Sequence, residues 1–249
     1  MNRYDTIQEV GVGWENSTPK EVYKYNHNHD ALGRFASANG GTSGSVSGVG
    51  NTKKQTQHKS PSADFFMVDR NADFVSEELG VSKEDATKMV QAINDYSGES
   101  YSAIRKASRG ENDEYKAEAD AMEDFISKSP KWAGGRLYRG MFIAPVSNKR
   151  KELLSNAAEG KPIDMLGLSS WTSNKEVAEK FGGHFDASIY FVTNGKETNR
   201  GTSIRHLSRK PEEDEVLVSG KAKFYPTKIE VVKIENADGH MIYIYGDIK

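Results

Sequence analysis

Cysteine is absent from all 249 residues. Disulfides, thiol nucleophiles and thiolate metal ligands are therefore excluded, and only six histidines and the carboxylates are left as metal ligands. Long hydrophobic runs are also missing: there is no stretch of 18 apolar residues, and Met1 to Pro19 has no basic start leading into an apolar run. Neither a signal peptide nor a membrane span is expected, and no membrane partner. Charge of one sign is not in excess. With 34 basic and 36 acidic residues the net charge is −2, which disfavours the phosphate backbone of nucleic acid or an anionic membrane as the main partner. Apolar residues make up only 36% of the chain and mean hydropathy is −0.71, so part of it is not expected to pack.

That part is found near the start. From about Asn26 to Ala63 the chain is rich in Gly, Ser, Asn and Thr and nearly free of large apolar residues. Such a segment cannot bury enough surface to offset its conformational entropy and reads as a tether, which divides the chain into a flexible segment, 1–62, and one domain, 63–249. The first half of the domain, 63–130, has helical periodicity. Phe65, Phe66, Val68, Phe74, Val75 and Leu79 precede a stop at Gly80, and Ser82 caps a stripe of Ala86, Met89, Val90 and Ile93. A short helix, Ser100 to Ser108, and a longer one carrying Tyr115, Ala119, Met122, Phe125 and Ile126 follow. From 131 to 249 the dominant period is two, interrupted by helices at Asn148 to Ala158 and Asn174 to Phe181. Helices first and strands later describe an α+β domain.

Three places in the strand-rich half could carry chemistry. Arg139 lies in the strand GRLYRGMFI, where alternation puts it on a face with Leu137 and Met141. A guanidinium there must find an anion, either a structural carboxylate or a ligand phosphate, and Gly140 beside it leaves room for close approach. In LSSWTSNKEVAEKF, Ser173 and Glu176 have capping-box spacing, so Ser173 is expected to start the helix. Ser170 and Thr172 are then left as hydroxyls on one strand face, with Ser169 and Trp171 on the other. In PEEDEVLV four acids run into an apolar strand. If that strand begins by Glu213, then Glu213 and Glu215 share a face, and their repulsion raises the proton affinity of at least one. Each place also has a plainer reading, as a salt bridge, a strand end or a charged loop.

Their order is more specific. An Arg on a strand, a Ser-x-Ser/Thr strand entering a helix and a Glu-x-Glu opening a strand, all after a helical half, resemble the mono-ADP-ribosyltransferases of the Arg-Ser-Glu class. The resemblance covers about Ala63 to Lys249 and includes INDYSGESYSAIRKA in the helical half. It implies a helical lobe packed on a mainly antiparallel β-sandwich core, NAD as co-substrate with no metal, and transfer of ADP-ribose to a protein side chain with release of nicotinamide. It further implies that Arg139 binds the NAD phosphates and ribose, Gly140 lies near the nicotinamide amide, and Ser170, with Thr172 beside it, braces the nicotinamide ribose and the glutamate. Glu215 would stabilise the charge formed as nicotinamide leaves, and Glu213 would receive the acceptor, which in the family goes with arginine. Two alternatives are an NAD glycohydrolase and a virion structural or interaction protein with a degenerate site.

The family's Ser-Thr-Ser is here Ser170, Trp171, Thr172. A loop around Gly182, Gly183, His184 and Phe185 is expected to add phosphate and nicotinamide contacts, and the loop from Arg200 to Pro211, with Arg205, Arg209 and Lys210, to meet the acceptor. HNHDALGRFASANGG, residues 27–41, resembles segments of tailed-phage head proteins, which implies a phage or prophage product acting in the bacterial host cytoplasm, delivered with the particle and contacting its head proteins.

Overall fold

The computed structural model describes residues 63–183, 188–234 and 239–249; the expected tether, the phage-like segment, His184 and Phe185 lie outside the described residues. Four helices come first: α1 (Ala63–Leu79), α2 (Lys83–Tyr96), α3 (Tyr101–Ser108) and α4 (Lys116–Lys128). Ser82 caps α2 as its sequence requires, accepting from the Asp85 amide at 3.1 Å. Val68, Ala72 and Val75 give α1 a buried face, and Ala86, Met89, Val90 and Ile93 do the same for α2. Phe74 departs from its expected place in that stripe. It is 51% exposed and meets the His206 ring edge-on.

The strand-rich half contains β1 (Tyr138–Phe142), α5 (Asn148–Ala158), β2 (Ile163–Asp164), β3 (Ser169–Thr172), α6 (Lys175–Gly182), β4 (Ser188–Thr193), β5 (Gly201–Ser203), a 3-10 turn (Pro211–Glu213), β6 (Glu215–Val218), β7 (Lys223–Lys233) and β8 (His240–Ile248). Hydrogen bonds join the strands in the order β2-β7-β8-β4-β1-β3-β6-β5, with β4 and β8 the one parallel pair among them. In a flat sheet β3 and β7, four steps apart, would lie about 19 Å from each other. Trp171 of β3 nevertheless stacks on Phe224 of β7 at 5.8 Å, and Phe191 of β4 meets both rings. The sheet therefore folds over on itself around a second core, which is the sandwich expected from the sequence.

Alternation in β6 divides the two cores. Val216 and Val218 enter the aromatic core, and Leu217 packs beneath the helices. In β3, Trp171 points into the aromatic core and donates to Ser169 Oγ at 3.1 Å. Trp171→Phe should therefore cost about 1 to 2 kcal/mol in urea unfolding, from one lost hydrogen bond and an underfilled aromatic stack.

Candidate active site

The strand faces opposite the aromatic core meet the helical lobe. Ser170 pairs with Leu217 and Thr172 with Glu215 across the β3–β6 ladder, so all four share the face that also packs Leu217 under the helices. α2 ends over this face, where Tyr96 and Ser170 share a hydrogen bond of 2.9 Å between their hydroxyls. Tyr101, at the start of α3, packs against Tyr96 with ring centres 4.8 Å apart and planes tilted by 56°. From β1, Arg139 donates through Nη1 to the Ser170 carbonyl. Its Nε is buried without a hydrogen-bond partner.

The electrostatics follow from burial. Glu215 is 6% exposed, and loss of water pushes its carboxyl up to about 7. Ser170, Arg139 and Lys210 oppose that rise, while Glu213 adds to it. Burial raises Glu213 as well, against the Lys210 ammonium 3.5 Å away. Burial holds the Tyr96 hydroxyl well above its ordinary range. At Tyr101 burial acts in the same sense, but the neighbouring Arg105 and Arg139 outweigh it and bring that hydroxyl down. Burial also lowers Arg139, whose charge is stabilised by few partners. The result is a partly desolvated cluster with one orphaned guanidinium N–H, hydrogen-bonded hydroxyls and two carboxyls of unequal burial.

No protein-family model matches the chain, and no curated protein matches it. Several solved structures do. The HopU1 ADP-ribosyltransferase of Pseudomonas syringae pv. Tomato DC3000 aligns with a TM-score of 0.53 at 13% identity, over 77% of this chain and 90% of that one. The Plx2a ADP-ribosyltransferase toxin from Paenibacillus larvae gives 0.51 at 14%, over 73% and 96%. The ADP-ribosylating toxin BECa of C. perfringens, solved with NADH, gives 0.52 at 16%, over 73% of this chain and 46% of that one. The fold is that of the ADP-ribosyltransferases.

Within this ADP-ribosyltransferase fold, Arg139, Ser170 and Glu215 are brought together, and several details differ from those expected. The helix cap is Asn174, whose Oδ1 accepts from the Glu176 amide at 3.0 Å, and not Ser173. Thr172 Oγ1 accepts from the Asn174 amide at 2.9 Å and Ser173 N reaches the Asp214 carbonyl at 3.4 Å, which keeps Ser173 out of the cap position and moves the helix start on by one residue. Glu213 is not on the strand. It ends the 3-10 turn, Asp214 takes a left-handed conformation with φ 45°, and β6 begins at Glu215. The two carboxyls are thus neighbours across a left-handed residue, not alternate residues of one strand face. The Thr172 hydroxyl fixes this turn by donating to the Glu213 carbonyl at 2.7 Å.

Gly140 has a packing role. A Cβ there would lie 2.0 Å from the Ala178 carbonyl and 2.5 Å from the Gly182 amide, so the space beside β1 belongs to α6. Gly182 ends α6, and the Gly183 carbonyl accepts from Ser188 Oγ at 2.9 Å and from the Tyr190 hydroxyl. The expected acceptor loop includes β5, too short to show a period, and most of its cations are engaged within the fold. Arg205 pairs with Asp214 at 2.7 Å, Arg209 donates to Asn94 and Lys210 pairs with Glu213. The sequence reading assigned no role to Tyr96, Tyr101 or Arg105. The signal available was the i, i+4 pair Tyr101 and Arg105, two polar groups on a helix otherwise buried through Ile104 and Ala107.

Proposed function

We propose that the chain is an NAD-dependent mono-ADP-ribosyltransferase that moves ADP-ribose to a protein side chain, arginine in particular, and releases nicotinamide. The observation that carries this reading is the convergence of a buried Glu215, the Ser170 hydroxyl and an under-partnered Arg139 from three separate strands. A phosphate would supply the anion that the Arg139 Nε lacks, which is the fit expected of a dinucleotide. The NADH complex of BECa is in keeping with such a ligand. Glu215, as a buried carboxylate, would stabilise positive charge growing on the ribose as the glycosidic bond to nicotinamide breaks. Glu213 is less buried and faces a cation already, which suits a site for a guanidinium. The resemblance of residues 27–41 to phage head segments supports a place of action in the bacterial host, reached with a phage particle.

Mass spectrometry of a bacterial lysate incubated with the full chain and NAD tests the reading. Wild type should leave ADP-ribose on arginines. Glu213→Gln should cut that transfer about tenfold or more while still releasing nicotinamide, as expected when an acceptor contact alone is lost. Adducts on other residues would overturn the arginine assignment, and nicotinamide release without adducts would replace the transferase by a glycohydrolase. Wild type that consumes no NAD would end the enzymatic reading.

A further inference from the structure

Arg105 and Ser108 of α3, and Arg109 just after it, are turned toward the segment that leads into β3. Arg105 Nε donates to the Leu168 carbonyl at 2.8 Å, and its Nη2 to the carbonyls of Met165 and Leu166 at 3.2 Å each. Ser108 Oγ accepts from the Leu168 amide at 3.0 Å, and Arg109 Nη1 adds a bond to the Leu166 carbonyl at 3.4 Å. This segment needs holding. Leu166 has φ 57°, a left-handed conformation that a branched side chain disfavours, and Gly167 follows at φ 82°. Gly167 lies so close to α3 that a Cβ would sit 2.3 Å from Ser108 Oγ.

Arg105 also reaches the site by a second route. Its Nη1 is 3.5 Å from the Tyr101 hydroxyl and its guanidinium carbon is 5.6 Å from the centre of that ring. Tyr101 in turn packs on Tyr96, whose hydroxyl bonds Ser170. One guanidinium therefore fixes the backbone two residues before Ser170 and the aromatic pair that bonds the Ser170 hydroxyl. A fork of five donors in a rigid plane can do both, and an ammonium cannot.

We propose that Arg105 is a positioning residue, which sets the Ser170 hydroxyl against Glu215 through the Met165–Leu168 backbone on one side and the Tyr101–Tyr96 pair on the other. The effect on turnover rests on the ADP-ribosyltransferase reading; the effect on Glu215 does not. Ser170 favours the charged form of Glu215, so a displaced hydroxyl lets that carboxyl hold its proton to higher pH. The other groups around Glu215 are Glu213, Lys210, Arg139, Tyr96 and Tyr101; Arg105→Met also removes the charge that lowers both tyrosine hydroxyls, whereas Arg105→Lys keeps it, so a rise in the Lys variant reports the position of the Ser170 hydroxyl.

The test compares the full chain with Arg105→Met and Arg105→Lys by steady-state nicotinamide release, by calorimetric titration with ADP-ribose and by carbon NMR titration of Glu215. Arg105→Met should lose about ten- to a hundredfold in kcat, the scale of a misplaced reacting group, with ADP-ribose affinity within about threefold of wild type. Its Glu215 midpoint should move up, and Arg105→Lys, able to reach fewer carbonyls, should fall between the two. If Arg105→Met does not fold, the intermediate midpoint of Arg105→Lys decides. A midpoint that stays at the wild-type value in the folded variants would overturn the proposal, as would a loss found entirely in ADP-ribose affinity, which would make Arg105 a ligand contact. Wild type without nicotinamide release would sink the enzymatic reading alone and leave the midpoint to judge Arg105.

Discussion

Glu215→Gln is expected to abolish nicotinamide release and, at pH 8, to make the protein harder to unfold. The loss of activity should be at least about a thousandfold, because a neutral amide cannot offset positive charge developing in a partly desolvated site. The gain in stability comes from the same burial. The folded carboxyl titrates near 7, well above its ordinary value of 4.5, so between those limits the native state binds a proton that the unfolded chain does not. This preference stabilises the fold fully below about pH 4.5 and is lost as pH rises through 7, where the buried group must ionise. Gln never ionises, so the variant should match wild type at low pH and exceed it by up to about 3 kcal/mol above pH 7. Urea unfolding across that range measures the difference, and a variant less stable than wild type at pH 8 would contradict the assigned burial. The wild-type profile of kcat/KM should rise about tenfold per pH unit up to about 7 and then flatten.

Gly140→Ala should do nearly as much damage by purely steric means. The added methyl would sit 2.0 Å from the Ala178 carbonyl, 2.5 Å from the Gly182 amide and 2.9 Å from the Gly182 Cα, all on α6. These are backbone atoms and cannot swing aside as a side chain would, so α6 has to lift from β1. Overpacking of this kind costs about 3 kcal/mol or more. Activity should fall further than the loss of folded protein explains, because α6 begins where Thr172 and Asn174 anchor the turn of Glu213. Chemical denaturation together with single-turnover kinetics on the folded fraction separates the two. A variant with wild-type stability would mean that α6 is not seated on β1 as described.

The general plan of the site was legible in the sequence because strand alternation is a strong signal. It correctly placed Ser170 and Thr172 on one face and Trp171 on the other, and β6 keeps its alternation from Glu215 onward. What could not be read were conformations without a local signature. Nothing in Pro211 to Glu215 fixes Asp214 as left-handed, so the sequence leaves open whether the strand begins by Glu213. The capping box at Ser173 was outcompeted by a local bond from the Asn174 amide to the Thr172 hydroxyl together with a contact from Ser173 N to Asp214, and the second lies outside any window of neighbouring residues. The contribution of Tyr96, Tyr101 and Arg105 depends on where α2 and α3 dock on β3, far along the chain.

The parallel pairing of β8 with β4 has a consequence for how the protein is made. β8 comes after every other strand in the chain but lies in the middle of the sheet, between β7 and β4. While the protein leaves the ribosome, β1, β3, β4 and β6 can pair with one another and β2 can pair with β7, yet the β2–β7 pair has no link to the rest of the sheet until residues 240–248 emerge. Phe224 on β7 is then missing from the stack on Trp171 and Phe191 behind the Ser170 strand. Closure must wait for a contact distant in sequence, which is slow to form. The nascent chain is therefore expected to stay inactive until synthesis of the whole sheet is complete.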